Sequence, residues 1–150
     1  TITGGQLTIR AGDDAIKAEQ SLSITGGTID IQTSVEGIEA PVIVIDGGTI
    51  TLNASDDGIN ASASAIVTSG LSITINGGDI SITMGSGDTD AIDSNGDLTI
   101  TGGTLNITAQ SPFDYDGTGT LTGGTITVNG ESVTALTNQM MGGGGGGGRP

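Results

Sequence analysis

Aliphatic and polar residues alternate in short bursts along this chain, and the bursts recur in register. A Gly-Gly pair stands at positions 4–5, 26–27, 47–48, 77–78, 102–103 and 123–124. One residue after each pair comes aliphatic–x–aliphatic: Leu7/Ile9, Ile29/Ile31, Ile50/Leu52, Ile80/Ile82, Leu105/Ile107 and Ile126/Val128. Two residues before each pair stands another aliphatic residue, Ile2, Ile24, Ile45, Ile75, Ile100 or Leu121, with Leu22, Ile43, Ile73 and Leu98 two positions further back. Alternation with period two predicts strands that bury one face.

A third apolar column follows: Ile16, Ile38, Ile59, Ile92 and Phe113, with Ala18, Ala40, Ala61, Ser94 and Tyr115 two positions on. Each regular repeat of 21–25 residues therefore holds two well-marked strands and a weaker third. A single repeat cannot bury its apolar face, so the copies must stack. The expected architecture is all-β: a right-handed parallel β-helix of about six coils, its hand following from the crossover rule. At ~4.8 Å per coil the rod would be about 29 Å long. The Gly-Gly pair is the expected corner between the first two strands, where φ > 0 and close stacking exclude side chains. Residues 62–70 and 85–88 read as insertions between coils. A β-sandwich would also show many short strands, but not one Gly-Gly element repeated in register. The chain divides into repeats over 1–130, a capping segment over 131–141 that breaks the pattern, and a Gly-rich tail over 142–150.

Composition sharpens this picture. Of 150 residues 29 are Gly, and aromatics make up 1%, which excludes an ordinary helical domain. Seventeen Asp and Glu oppose three Lys and Arg, a net charge of −14. Nucleic acid and anionic membrane are thereby poor partners, because phosphate binding needs clustered cations. The absence of Cys and His removes disulfides, thiolate metal sites and the commonest general base. No run of 18 apolar residues is present to span a membrane.

The acids are not scattered. Two residues before the third apolar column lie Asp14, Glu36, Asp57 and Asp90, with Ser111 in the fifth coil. Asp13 and Asp56 precede two of these, Lys17, Glu39, Asn60, Asp93 and Asp114 follow the column, and Asp88 lies nearby. Stacking brings such residues within ~4.8 Å, where carboxylates repel one another and raise one another's pKa. Hard oxygen ligands at this spacing suit Ca²⁺. The expected metal ligands are Asp13, Asp14, Glu36, Asp56, Asp57, Asp88, Asp90 and Asp93; the alternative is a solvated edge that discourages aggregation. The spacing matches neither an EF-hand loop nor the Gly-Gly-x-Gly-x-Asp calcium repeat.

The elements Ala-Gly-Asp-Asp-Ala-Ile-Lys-Ala (11–18), Ser-Asp-Asp-Gly-Ile-Asn-Ala (55–61), Asp-Ala-Ile-Asp-Ser-Asn-Gly-Asp-Leu-Thr-Ile-Thr-Gly-Gly (90–103) and Phe-Asp-Tyr-Asp-Gly (113–117) resemble a secreted bacterial carbohydrate-binding β-helix family first recognised in cellulose-degrading clostridia. The resemblance covers roughly residues 1–130. It implies a pectate-lyase-like fold, bound calcium, an extracellular setting, and affinity for cellulose or acidic pectic chains.

Catalysis is not expected. A lyase needs a basic residue beside its substrate, and Arg10 and Lys17 are the only cations in the coils, Lys17 positioned for an ion pair with Asp14. Glycoside hydrolysis needs paired carboxylates together with a sugar-stacking surface, and the aromatics amount to Phe113 and Tyr115. The outward Thr-rich columns are too irregular for a flat ice-binding array. At the C-terminal end, Val133, Leu136, Met140 and Met141 are expected to cover the last coil. The tail Gly142, Gly145, Gly148 and their neighbours, tipped by Arg149, extends ~22 Å at polyproline-II rise, enough to lie on the acidic surface of a second copy. The leading expectation is thus an extracellular, calcium-stabilised fibre or matrix subunit that stacks end to end with copies of itself. The alternative is a monomeric carbohydrate-binding module for cellulose or a pectin-like polysaccharide.

Overall fold

A computed structural model describes residues 1–87 and 89–137 of the chain. They form a parallel β-solenoid of about six coils, with three strands per full coil and no helix among the described residues. The first sheet stacks β1 (Gln6–Arg10), β4 (Thr28–Thr33), β7 (Thr49–Ala54), β10 (Asp79–Met84), β13 (Thr104–Thr108) and β16 (Thr125–Val128), and ends in an antiparallel β17 (Glu131–Val133). The second stacks β2 (Ile16–Lys17), β5 (Ile38–Ala40), β8 (Asp57–Ala61), β11 (Asp90–Ser94) and β14 (Ser111–Tyr115). The third stacks β3 (Ser21–Ile24), β6 (Val42–Ile45), β9 (Ser72–Ile75), β12 (Asp97–Ile100) and β15 (Gly119–Leu121).

Register turns each sequence column into a ladder. Ile24, Ile45, Ile75, Ile100 and Leu121 lie over one another in the third sheet. Ile38, Ile59, Ile92 and Phe113 do so in the second, and every member of that run is fully buried. Each buried aliphatic side chain contributes ~1.5–3 kcal/mol, so the ladders jointly hold strands too short to persist alone. In the small column Ser94 is fully buried yet satisfied: its hydroxyl donates to the Asp97 carbonyl at 2.8 Å and accepts from the Gly96 amide at 3.2 Å.

The Gly-Gly corners need both glycines, for different reasons. The second of each pair has φ between +91° and +101°. The first packs against the coil below: a Cβ on Gly26 or Gly47 would lie 2.7 or 2.6 Å from the carbonyl oxygen of Thr3 or Thr25.

The second sheet breaks simple alternation. In β8, Gly58 and Ile59 both turn inward. A Cβ on Gly58 would sit 2.9 Å from Ile82 Cγ2, 3.3 Å from Met84 Sδ and 2.5 Å from the Ala91 carbonyl oxygen. The ladder skips the same position, pairing Asp57 with Asp90 and Ile59 with Ile92. Two successive inward residues, as in a β-bulge, leave the residues on both sides of the pair facing outward. The slot is filled by Ala15, Gly37, Gly58, Ala91 and Pro112, all small or compact.

At the C-terminal end the structure adds a hairpin that the repeat pattern did not announce. Asn129 and Gly130, with φ of 52° and 86°, reverse the chain into β17, which matches the Asn-Gly preference of tight hairpin turns. The Asn129 side chain also stands in for a further strand, accepting from the Ala109 amide at 3.1 Å and donating to its carbonyl at 2.8 Å. Val133 and Leu136 pack on the core as expected, while Met140 and Met141 lie outside the described residues. The 62–70 insertion folds back over lower coils, where the Ser64 hydroxyl donates to the Glu19 carbonyl at 2.7 Å.

Gly58→Ala forces a Cβ against the coil above and is expected to cost about 1–3 kcal/mol in urea unfolding. Ala at the exposed, unhindered Gly12 is expected to change stability by less than ~0.5 kcal/mol.

Candidate cation-binding site

The bulge of the second sheet sends two residues per coil to its outer side, three positions apart. One column reads Asp14, Glu36, Asp57, Asp90 and Ser111, the other Lys17, Glu39, Asn60, Asp93 and Asp114. The corner before β8 adds Asp56. Carboxylate oxygens of Asp14, Glu36 and Glu39 lie within 4.8 Å of one another, as do those of Glu36, Asp56 and Asp57, and those of Asp57, Asp90 and Asp93. Glu36 and Asp57 each belong to two triads, so the three form one line along the rod.

The line is not uniform. At its N-terminal end Lys17 Nζ lies 2.9 Å from Glu39 Oε1 and 3.5 Å from Asp14 Oδ2. The ion pair expected with Asp14 is present, and a second, shorter one reaches across to Glu39 in the next coil. Burial pushes the Glu39 carboxyl up, but hydrogen bonds from Ser62 (2.6 Å) and Lys17 outweigh it and hold Glu39 below its ordinary value. The same contacts raise the Lys17 ammonium. Burial raises Asp14, helped by neighbouring Glu39.

Further along no cation intervenes among the described residues. Arg10 donates to Gln32 Oε1 at 2.5 Å on the first sheet, and Arg149 lies outside the described residues. Burial first, then the like charges of Asp56, Asp90 and Glu36, pushes Asp57 up to about 7. Burial and the charges of Glu39, Asp14 and Asp56 raise Glu36 to about 7 against the opposing Asn60 hydrogen bond. Burial, followed by Asp57, Asp90, Asp114 and Asp116, raises Asp93 to about 8. Asn60 sits between Glu39 and Asp93 in the ladder and is 6% exposed. Its Nδ2 donates to Glu36 Oε1 at 3.1 Å, whereas its Oδ1 is buried with no hydrogen-bond partner. Once the neighbouring carboxyls ionise, a buried acceptor among them is unfavourable unless a positive charge joins them.

These residues fit a hard divalent cation. The candidate ligand atoms are all oxygens, those of Asp57 and Asn60 belong to buried residues, and an amide oxygen is left over, a set that suits Ca²⁺ with its six to eight oxygen ligands. Of the expected ligands, Asp14, Glu36, Asp56, Asp57, Asp90 and Asp93 come together. Asp13 is exposed and stands outside the three triads. Asp88 lies outside the described residues, as do Gly142, Gly145, Gly148 and Arg149. Glu39 joins the first triad and Asn60 lies against Glu36, although neither was expected as a ligand. Their signal was position alone, one residue after the third apolar column, a place that alternation puts outside.

The stacked coils and the partly buried carboxylate line define a parallel β-solenoid with an acidic edge. More particularly, the chain belongs to the family of carbohydrate-binding domain-containing proteins, whose model matches residues 1–89. The matched span holds four of the six Gly-Gly corners and all of the first two acidic triads. No curated protein and no solved structure gives a significant match.

Without divalent ions, Glu36, Asp57 and Asp93 keep protons in the fold at pH values where the unfolded chain has lost them. Stability therefore falls as pH rises from the ordinary carboxylate values of 3.8–4.5 toward about 8. Thermal melts in chelator should show this slope. Asp57→Asn should flatten it and raise the metal-free melting temperature at pH 8 by roughly 2–4 °C, the shift that ~1 kcal/mol produces in a domain this size.

Proposed function

We propose that the protein is a non-catalytic, extracellular polysaccharide-binding module whose rod is stiffened by Ca²⁺ on the acidic line. The observation that carries this reading is the carbohydrate-binding family match over residues 1–89. The chemistry of the chain agrees with it. There is no His or Cys to serve as nucleophile or base, and the in-coil cations Arg10 and Lys17 are both engaged by other side chains. A stacked solenoid instead presents hydroxyls and amides at a fixed repeat. On the first-sheet side, for example, the Gln32 side-chain amide accepts from Arg10 and donates to Asp30 at 3.1 Å. Such a surface is already ordered before a sugar chain arrives, which lowers the entropic cost of binding.

Asp57, Asp90 and Asp93, with the Asn60 amide oxygen, would hold the cation, and Glu36 and Asp56 would extend the site toward the N-terminal end. When bound, Ca²⁺ neutralises carboxylates that otherwise repel one another across coils. The fibre-subunit reading has no comparable support, because the tail residues it depends on lie outside the described part of the chain.

Pull-down with insoluble cellulose and with cross-linked polygalacturonate, each with and without chelator, tests the module. Depletion of the protein from solution by at least one polysaccharide is expected, and failure to bind either would overturn the reading. Calorimetry tests the ion separately: at a hundredfold excess over its Kd, calcium should stabilise the fold by ~2.7 kcal/mol at pH 8. Absence of both binding heat and a change in melting temperature would remove the metal.

A further inference from the structure

Two surface depressions on the corner between the first and second sheets share Met84 and Gly85 and so form one groove. The first, about 330 Å³, spans the coils of Gln32, Asn53 and Thr83, and the second, about 320 Å³, continues past Thr108 and Gln110 to Asn129. The groove runs parallel to the rod axis across five coils, ~19 Å at the strand spacing. Its floor is a column that the register builds from Ser34, Ala54, Met84 and Ala109, each 6–8% exposed. These side chains are small or flexible, and the corner is hollow where they stack. Asn129, clamped on the Ala109 backbone, forms one end of the groove. At the other end the Gln32 amide bridges Arg10 and Asp30.

The rims carry exposed hydroxyls and amides, among them Asn53, Thr83, Thr108 and Gln110, and among the described residues no ionisable side chain lines either depression. Beyond the groove, Ser55 leads directly into Asp56 and Asp57, so the neighbouring surface is the acidic line. An anionic sugar chain in this groove would lie beside carboxylates. An uncharged one meets hydrogen-bonding rims and an apolar floor.

We propose that this groove is a binding site for a single extended strand of an uncharged polysaccharide, lying along the solenoid axis. The proposal rests on the polysaccharide-binding reading above and gives it a place and a ligand class. Amides and hydroxyls repeating once per coil offer paired donors and acceptors to successive ring hydroxyls, and the Ala54–Met84–Ala109 floor offers contact to the apolar faces of the rings. Ca²⁺ on the acidic line supports the wall without touching the ligand, so binding should survive chelation at a pH where the fold is intact.

Gly85 makes the test direct. A Cβ there meets nothing closer than Ser55 Cα at 3.8 Å, so a larger side chain fits without clash and fills the groove. Titration calorimetry would compare cellohexaose with an oligogalacturonate of equal length, in chelator and in calcium, for the wild type, Gly85→Gln, and Thr101→Gln on the opposite corner. The wild type should bind cellohexaose in both buffers, Gly85→Gln should weaken that binding by roughly tenfold or more, and Thr101→Gln should leave it unchanged. An Asn53→Ala/Gln110→Ala double variant, altering exposed rims alone, should also weaken binding and serves if Gly85→Gln unfolds. If Gly85→Gln and the double variant bind cellohexaose as the wild type does, the groove is not the site, although the module reading stands. Binding of oligogalacturonate alone, and only with calcium, overturns the uncharged ligand class. Failure of the wild type to bind either sugar, together with failure in the pull-down, overturns the module reading itself.

Discussion

Parallel stacking in register is the constraint from which the rest of this molecule follows. Each residue lies over its counterpart one coil away, at the distance set by the backbone hydrogen bonds between strands. For isoleucine the consequence is favourable: like side chains interlock, and the ladders of Ile24 to Ile100 and Ile38 to Phe113 are buried almost completely. For aspartate and glutamate the same geometry is unfavourable. Glu36, Asp57 and Asp93 are brought close to other carboxylates and partly buried, and all three hold their protons far more tightly than free side chains do. The acidic line is therefore a local conflict inside an otherwise consistent fold, and such conflicts mark functional sites.

The chain answers that conflict in two ways. At the N-terminal end Lys17 reaches across one coil to Glu39 and supplies the missing charge from within. Over the following coils no Lys or Arg takes that role among the described residues, and Asn60 occupies the equivalent position with a buried, unpartnered oxygen. The proposed Ca²⁺ would restore neutrality there. The same sheet thus holds one triad that carries a lysine next to two that carry none among the described residues.

The bulge explains why two acidic columns share one face. Simple alternation over Asp57-Gly58-Ile59-Asn60 would place Asp57 on the side of Ile59, inside the core. Turning both Gly58 and Ile59 inward shifts the phase and returns Asp57 to the outside. The small residue this requires recurs as Ala15, Gly37, Gly58 and Ala91, so the device belongs to the repeat. A comparable economy shapes the groove. Ser34, Ala54 and Ala109 leave the corner hollow without opening the core, and Met84 adapts to the remaining space.

The sequence alone determined the solenoid, its Gly-Gly corners and which aliphatic residues stack, because a repeat of fixed period makes every coil testify to the same register. It also singled out Asp14, Glu36, Asp57 and Asp90 as a column, since alignment on Ile16, Ile38, Ile59 and Ile92 puts them in file. Only the tertiary structure decided that Glu39 and Asn60 share a face with that file, because the outward direction of Asp14, Glu36, Asp57 and Asp90 depends on a phase change that alternation does not reveal. The preference of Lys17 for Glu39 over Asp14 was equally out of reach, since it rests on a distance between coils. So was the groove, which exists only where Ala54, Met84 and Ala109 from separate coils meet at a corner, and an absence of atoms leaves no pattern in a chain.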